Sequence, residues 1–247
     1  HTRRHSEKPP FTKETIYGRL YPFQRDAIAK WEANSRRGIL NMATGTGKTK
    51  TAEAAMVRLL EGGKKSLVVI VAPKQLLVSQ WSKDLRELGF ENITEVMKNS
   101  REWTNELRTN INRVHLSRAK EVIAVATYDS FATDAMSEIV RESELEKVLI
   151  ADEMHHSWAP EFKKGLLSEY TIRLGLSATP ERYMDDEGTK EMQAYFGGVV
   201  FEYGIREAID AGFLVPYEYF AEVVALTPPE LEEYGELSVT IAKRIAI

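Results

Sequence analysis

Met42-Ala43-Thr44-Gly45-Thr46-Gly47-Lys48-Thr49 is the stretch of this chain whose residue types best suit chemistry on phosphates. Its glycines permit tight turns that let backbone N–H groups converge on anionic oxygens, and a helix following directly would place its positive end at the same point. Lys48 is then positioned to neutralise the β- and γ-phosphates of a nucleotide, and the Thr49 hydroxyl to meet Mg²⁺. Thr44, Gly45, Thr46 and Gly47 complete the candidate cradle, although Met42 stands where the strict phosphate-loop pattern has its first glycine. A second group lies downstream, where the apolar run Val148-Leu149-Ile150-Ala151 ends in Asp152-Glu153. If both segments end strands of one parallel sheet, they share the crevice at its carboxyl edge. Asp152 then fits a Mg²⁺ contact, and Glu153 a base that orients or deprotonates a water. His155 and His156 lack the further ligands of a metal cluster; His155 is better placed to report nucleotide state to a neighbouring segment.

Positioning these groups requires strands alternating with helices. Short β-branched runs predict strands at Gly38–Met42, Leu67–Ala72, Glu121–Thr127, Val148–Asp152 and Ile172–Ser177. Helical spacing connects Leu77, Trp81, Leu85 and Leu88, and also Phe131, Ala135 and Ile139, while Gly212 is placed to end a helix begun at Ile205. The expected fold is α/β, a mostly parallel sheet with helices on both faces. The 247 residues, 43% hydrophobic and 28% charged, suffice for one sizeable domain with short extensions. With no cysteine there is neither a disulfide framework nor a thiolate site. A net charge of −4 lacks the basic signature of a protein that coats nucleic acid, so any such binding would follow a local track. No apolar run approaches the roughly 20 residues that span a bilayer, and the expected location is intracellular. Residues 1–18 read as a linker, an arm or an expression remnant. The tryptophans at 31, 81, 103 and 158 read as packing residues rather than base-stacking platforms.

Ala43–Thr49, Ala151–His156 and Leu176-Ser177-Ala178-Thr179-Pro180, in that order, resemble the motifs of the first RecA-like lobe of superfamily 2 DExH helicases and translocases. The resemblance covers about 19–216. It implies ATP and Mg²⁺ as cofactors, and a role for Ser177, Ala178 and Thr179 in linking ATP state to nucleic-acid grip. Leu20-Tyr21-Pro22-Phe23-Gln24 looks like the family's adenine-reading segment, with Gln24 addressing the base and Tyr21 where an arginine is frequent. Pro73, Lys74 and Gln80, with Thr127 and Tyr128, resemble segments that hold nucleic-acid phosphates. The plainer alternatives there are a solvated lysine at 74 and a packed aromatic at 128. The segment from Tyr195 to Tyr217 is similar to the connector of type I and type III restriction-enzyme motors and XPB-like helicases. That similarity implies double-stranded DNA, a nuclease domain or subunit as partner, and residues 216–247 leading to a second RecA-like lobe.

Two other readings remain open on these residues. One is an ATP-dependent nucleic-acid-binding module that controls a partner nuclease without translocating. The other is an unrelated phosphate-loop enzyme such as a kinase, in which Gln24 and Ser177-Ala178-Thr179 would have no task.

Overall fold

The Ser66–Ala72 segment, SLVVIVA, is apolar after its first residue because both of its faces are buried. Leu67, Val69 and Val71 pack with Trp103, Leu107, Met136 and Met192; Val68, Ile70 and Ala72 pack with Ile28, Trp31, Ala55 and Trp81. The alternation of side chains along a strand thus feeds two separate cores, one per face. This arrangement belongs to a computed structural model that describes residues 11–97, 100–159, 161–179, 186–216, 220 and 225–245. The expected arm before residue 11, the Trp158 side chain, Pro180, and Tyr217 with most of the segment to 224 lie outside the described residues.

The strands are β1 (Arg37–Met42), β2 (Ser66–Ala72), β3 (Ile93–Val96), β4 (Glu121–Thr127), β5 (Glu146–Ala151), β6 (Ile172–Ser177) and β7 (Val199–Tyr203). The helices are α1 (Pro22–Ala33), α2 (Lys48–Glu61), α3 (Gln75–Glu87), α4 (Ser100–His115), α5 (Tyr128–Phe131), α6 (Asp134–Glu142), α7 (Asp186–Phe196), α8 (Ile205–Asp210) and α9 (Pro228–Ile245). The seven strands among the described residues form one parallel sheet in the order β3-β4-β2-β5-β6-β1-β7. Residues of α1, α2 and α3 enter one core, and those of α4, α6 and α7 the other. The five expected strands are present within two residues of their expected ends. β3 and β7, at the two edges, were not among them.

The single helical run expected through Phe131, Ala135 and Ile139 is instead two helices. Thr133 interrupts it because its Oγ1 accepts the Met136 N–H at 3.3 Å and caps α6 afresh. Gly212 takes the left-handed conformation after α8, with φ of 75°. Backbone packing divides the chain into two units, His1–Leu214 and Val215–Ile247. In the second, α9 exposes Leu231, Tyr234, Leu237 and Val239. Among the described residues no helix is long and apolar enough to cross a membrane.

Candidate functional site

The order β5-β6-β1 brings three strand ends together at one edge: Met42 with the loop after it, Ser177, and Asp152-Glu153. Register aligns them, pairing Asn41 with Ser177 and Ala151 with Gly175. Beyond β1, the Ala43 N–H donates to the Tyr203 carbonyl at 2.9 Å. Thr46, buried, turns the loop by donating its Oγ1 to the Ala43 carbonyl at 2.6 Å. Gly45 and Gly47 adopt φ of 85° and 84°, where L side chains are strained. Gly47 is the N-cap of α2, and no side chain caps that helix. The N–H groups of Gly45, Gly47, Lys48 and Thr49 consequently have no backbone acceptor among the described residues. They form a set of helix-start donors suited to an anion. Thr44 is exposed at the rim, and Thr49 is half-buried one residue into α2.

Lys48 is buried, with Nζ 3.1 Å from the Met42 carbonyl and 4.0 Å from Glu153 Oε1. Burial lifts the Glu153 carboxyl above its usual range; Lys48 opposes the shift, Asp152 adds to it, and His156 opposes it. Glu153 also holds a left-handed backbone, φ 47° and ψ 55°. Its Oε2 lies 3.7 Å from His155 Nδ1, which is 3.3 Å from Ser177 Oγ. Ser177 Oγ in turn accepts the Thr179 N–H at 3.1 Å. A continuous polar chain therefore runs from the acid to the Ser177-Ala178-Thr179 segment.

Gln24 is at the site and lines the cleft beside the loop. Its Oε1 accepts the Tyr21 N–H at 3.0 Å, and its Nε2 donates to the Thr46 and Gly47 carbonyls at 3.1 and 3.4 Å. Lying in the first turn of α1, it braces the phosphate loop. An open cleft of about 800 Å³ adjoins it, lined by Phe11, Arg19, Tyr21, Gly45, Lys50 and Phe213 among others. The second candidate interface is a cleft of about 660 Å³ lined by Pro73, Lys74, Gln75, Thr127, Ser130 and Thr133 among others. Lys74 is exposed and immediately precedes α3; Gln80, also exposed, is further along that helix and is not in the cleft lining. Thr127 caps α5, accepting the Ser130 N–H. Tyr128 is a correction: it is buried, its ring packed 5.5 Å from Phe162, and its hydroxyl donates to the Asp152 carbonyl at 2.9 Å. Its ring has no surface to offer a nucleic acid.

Residues 18–182 match the family model described as type III restriction enzyme, res subunit. The chain belongs to this restriction-enzyme res family. A type I restriction enzyme EcoAI endonuclease subunit of Escherichia coli is 28% identical to it over 187 residues, 74% of the chain and 21% of that protein. A probable helicase of African swine fever virus is 30% identical over 229 residues, 84% of the chain and 24% of that protein. The chain thus spans about a fifth to a quarter of the length of these relatives. Its fold matches a nuclease-deletion mutant of the type ISP restriction-modification enzyme LlaGI, solved with a DNA substrate mimic. That match has a TM-score of 0.63 and 22% identity, and covers 79% of the chain and 21% of the other. In fold the res-type chain is a RecA-like lobe, a parallel sheet with helices on both faces.

Within this lobe, a further contact had no signal in the sequence. Trp81 Nε1 donates to Asp152 Oδ2 at 3.0 Å, both residues being buried. The helical spacing that marks Trp81 as inward-facing cannot say that an acid lies opposite it.

Proposed function

We propose that this res-type lobe binds ATP with Mg²⁺ and, within a two-lobed motor, couples ATP hydrolysis to movement on double-stranded DNA. The observation that carries the reading is the 4.0 Å approach of Lys48 to Glu153 across the mouth of a loop in which the N–H groups of Gly45, Gly47, Lys48 and Thr49 have no backbone acceptor among the described residues. An ammonium, a set of oriented donors and a carboxylate of raised basicity form a site complementary to a triphosphate and an attacking water. The oxygen donors fit a hard cation, since the Asp152 carboxylate and Thr49 hydroxyl lie on the two segments that bound the site. Bound there, Mg²⁺ would supply charge neutralisation for the phosphates.

In this reading the loop N–H groups and Lys48 bind and orient the β- and γ-phosphates. Glu153 aligns the water and takes its proton, and its neighbour His155 carries the change to Ser177. Pro73, Lys74 and Thr127 hold backbone phosphates, so the grip is largely independent of sequence. Double-stranded DNA is favoured by family membership and by the DNA substrate mimic held by the type ISP relative. The same membership supports a nuclease domain or subunit as partner, and residues 216–247 as the start of a connector to a second RecA-like lobe.

Two substitutions test the assignment in the full-length protein. Lys48→Ala is expected to remove nucleotide binding or turnover. Glu153→Gln is expected to keep ATP bound while hydrolysis falls by at least about 100-fold, the scale of a positioned general base. Equilibrium binding of labelled ATP and steady-state phosphate release read the two effects separately. Normal turnover in both variants would remove these residues from the mechanism.

A further inference from the structure

We propose that Trp81 and Tyr128 are positioning residues that couple the nucleic-acid face of the lobe to the carboxylate of Asp152; the inference rests on the functional reading above. The two chain segments lining the 660 Å³ cleft each send one buried aromatic inward to the same residue. From Lys74 and Gln75 at the cleft, α3 runs inward with Val78, Trp81, Ser82 and Leu85 on its buried face, and the Trp81 indole N–H meets Asp152 Oδ2. From Thr127 at the cleft, the chain enters α5, and the Tyr128 hydroxyl meets the Asp152 carbonyl. Asp152 is thus held by its side chain from one segment and by its backbone from the other.

A buried indole does not need a carboxylate. Trp31, equally buried, satisfies its N–H with the Arg173 carbonyl at 3.0 Å, away from the site. Trp81 instead engages one oxygen of the proposed metal-holding acid, Oδ2, which restrains the carboxylate's rotation. Both rings are only 2% exposed. A ring packed that tightly cannot absorb a shift of its own segment without moving its hydrogen-bond partner. Displacement of Lys74 or Thr127 by a bound phosphate would therefore be felt at Asp152, by a route that does not pass through His155 and Ser177. Linkage makes the effect mutual: whatever nucleic acid does to cation affinity, the cation does to nucleic-acid affinity.

Trp81→Phe and Tyr128→Phe each delete one donor and keep a ring. The measurement is the Mg²⁺ concentration that half-saturates binding of a fluorescent non-hydrolysable ATP analogue, with and without a duplex DNA oligonucleotide, using binding in EDTA as reference. Trp81→Phe should raise that concentration about tenfold, the scale of one hydrogen bond to a charged group, and leave binding in EDTA unchanged. Duplex DNA should lower the requirement in the unmodified protein, much less in Tyr128→Phe and not at all in Trp81→Phe. An unchanged Mg²⁺ requirement with the DNA effect intact in both variants would overturn the inference and leave the functional reading standing. Should Trp81→Phe fold poorly, Tyr128→Phe and the ¹⁵N indole resonance of Trp81 in the unmodified protein still decide. That resonance should move on adding DNA alone, and indifference to DNA would overturn the coupling. Failure of the unmodified protein to bind the Mg²⁺-analogue complex would overturn the functional reading and this inference with it.

Discussion

Glu153 concentrates chemistry and strain in one residue. A left-handed backbone costs an L residue roughly 1–2 kcal/mol, and such strain persists where the surroundings over-determine it. Here the surroundings are the end of β5 on one side and the 3-10 turn Met154–Trp158 on the other. Glu153→Gly removes the strain and the half-buried charge, while glycine's greater freedom in the unfolded chain offsets part of the gain. The expected result is an unfolding free energy higher by about 0.5–1 kcal/mol, with hydrolysis at background. Denaturant titration of the two proteins checks it, and a less stable variant would mean that Glu153's own contacts outweigh its strain. At this scale the phosphate loop and the two acids were legible because each is a local pattern. The bonds of Trp81 and Tyr128 to Asp152 cross 71 and 24 positions of sequence, and local spacing carries no record of such partners. Gln24 was legible as a site residue but not as a brace, since its partners become neighbours only after α1 packs beside the loop.

The central strands announced themselves because burial on both faces forces continuous apolar runs. β3 is only four residues long, with Thr94 and Glu95 within it, and β7 carries Glu202, so neither edge strand shows that pattern. What the edge of β7 needs is close approach. A methyl group on Gly38 would lie 2.5 and 2.6 Å from the two Cγ atoms of Val200 in that segment. Gly38→Ala should therefore cost about 1–3 kcal/mol, and Val200→Ala in the same chain should recover most of it. If the double variant is no more stable than Gly38→Ala alone, the two residues do not form the limiting contact. The helices that cradle the loop bear a second, electrostatic constraint. Glu53 on α2 is wholly buried, bonded to Lys50 at 2.9 Å, while Lys50 also reaches Asp84 on α3 at 3.2 Å. Burial pushes the Glu53 carboxyl up to about 7, with Lys50 pulling it back in part. The folded state therefore keeps this proton over a range where the unfolded chain has released it. Below about 4.5 both states are protonated; from there to about pH 7 the folded state loses stability as pH rises, by an amount on the order of 3 kcal/mol. Glu53→Gln should flatten that slope in chemical denaturation measured from pH 4.5 to 8, and an unchanged slope would place the titration elsewhere.

At the scale of the molecule, the chain is acidic overall, with a net charge of −4, yet is proposed to hold a polyanion. The contacts available for that are few: Lys74 and the backbone beside it, and the hydroxyls of Thr127, Ser130 and Thr133, which share the cleft with the acid Asp129. Few neutralised phosphates mean a shallow dependence of affinity on salt and weak binding by this lobe alone. The same incompleteness applies to hydrolysis. The chain spans 21 to 24% of the length of its restriction-enzyme and viral helicase relatives, and the second lobe proposed above would supply the arginines that complete the γ-phosphate site. A trans-acting arginine is worth about 10³ to 10⁵ in rate, because it meets charge that develops only in the transition state. With the cradle, lysine and base proposed above, the lobe should bind ATP weakly and hydrolyse it very slowly. Joining it to the second lobe should restore turnover by a factor of that order, and should make turnover respond to duplex DNA. Single-turnover hydrolysis by the chain alone and by the full-length protein, each with and without duplex DNA, measures both effects. Brisk, DNA-stimulated turnover by the chain alone would show that it holds a complete γ-phosphate site, and the division of labour between two lobes would have to be abandoned.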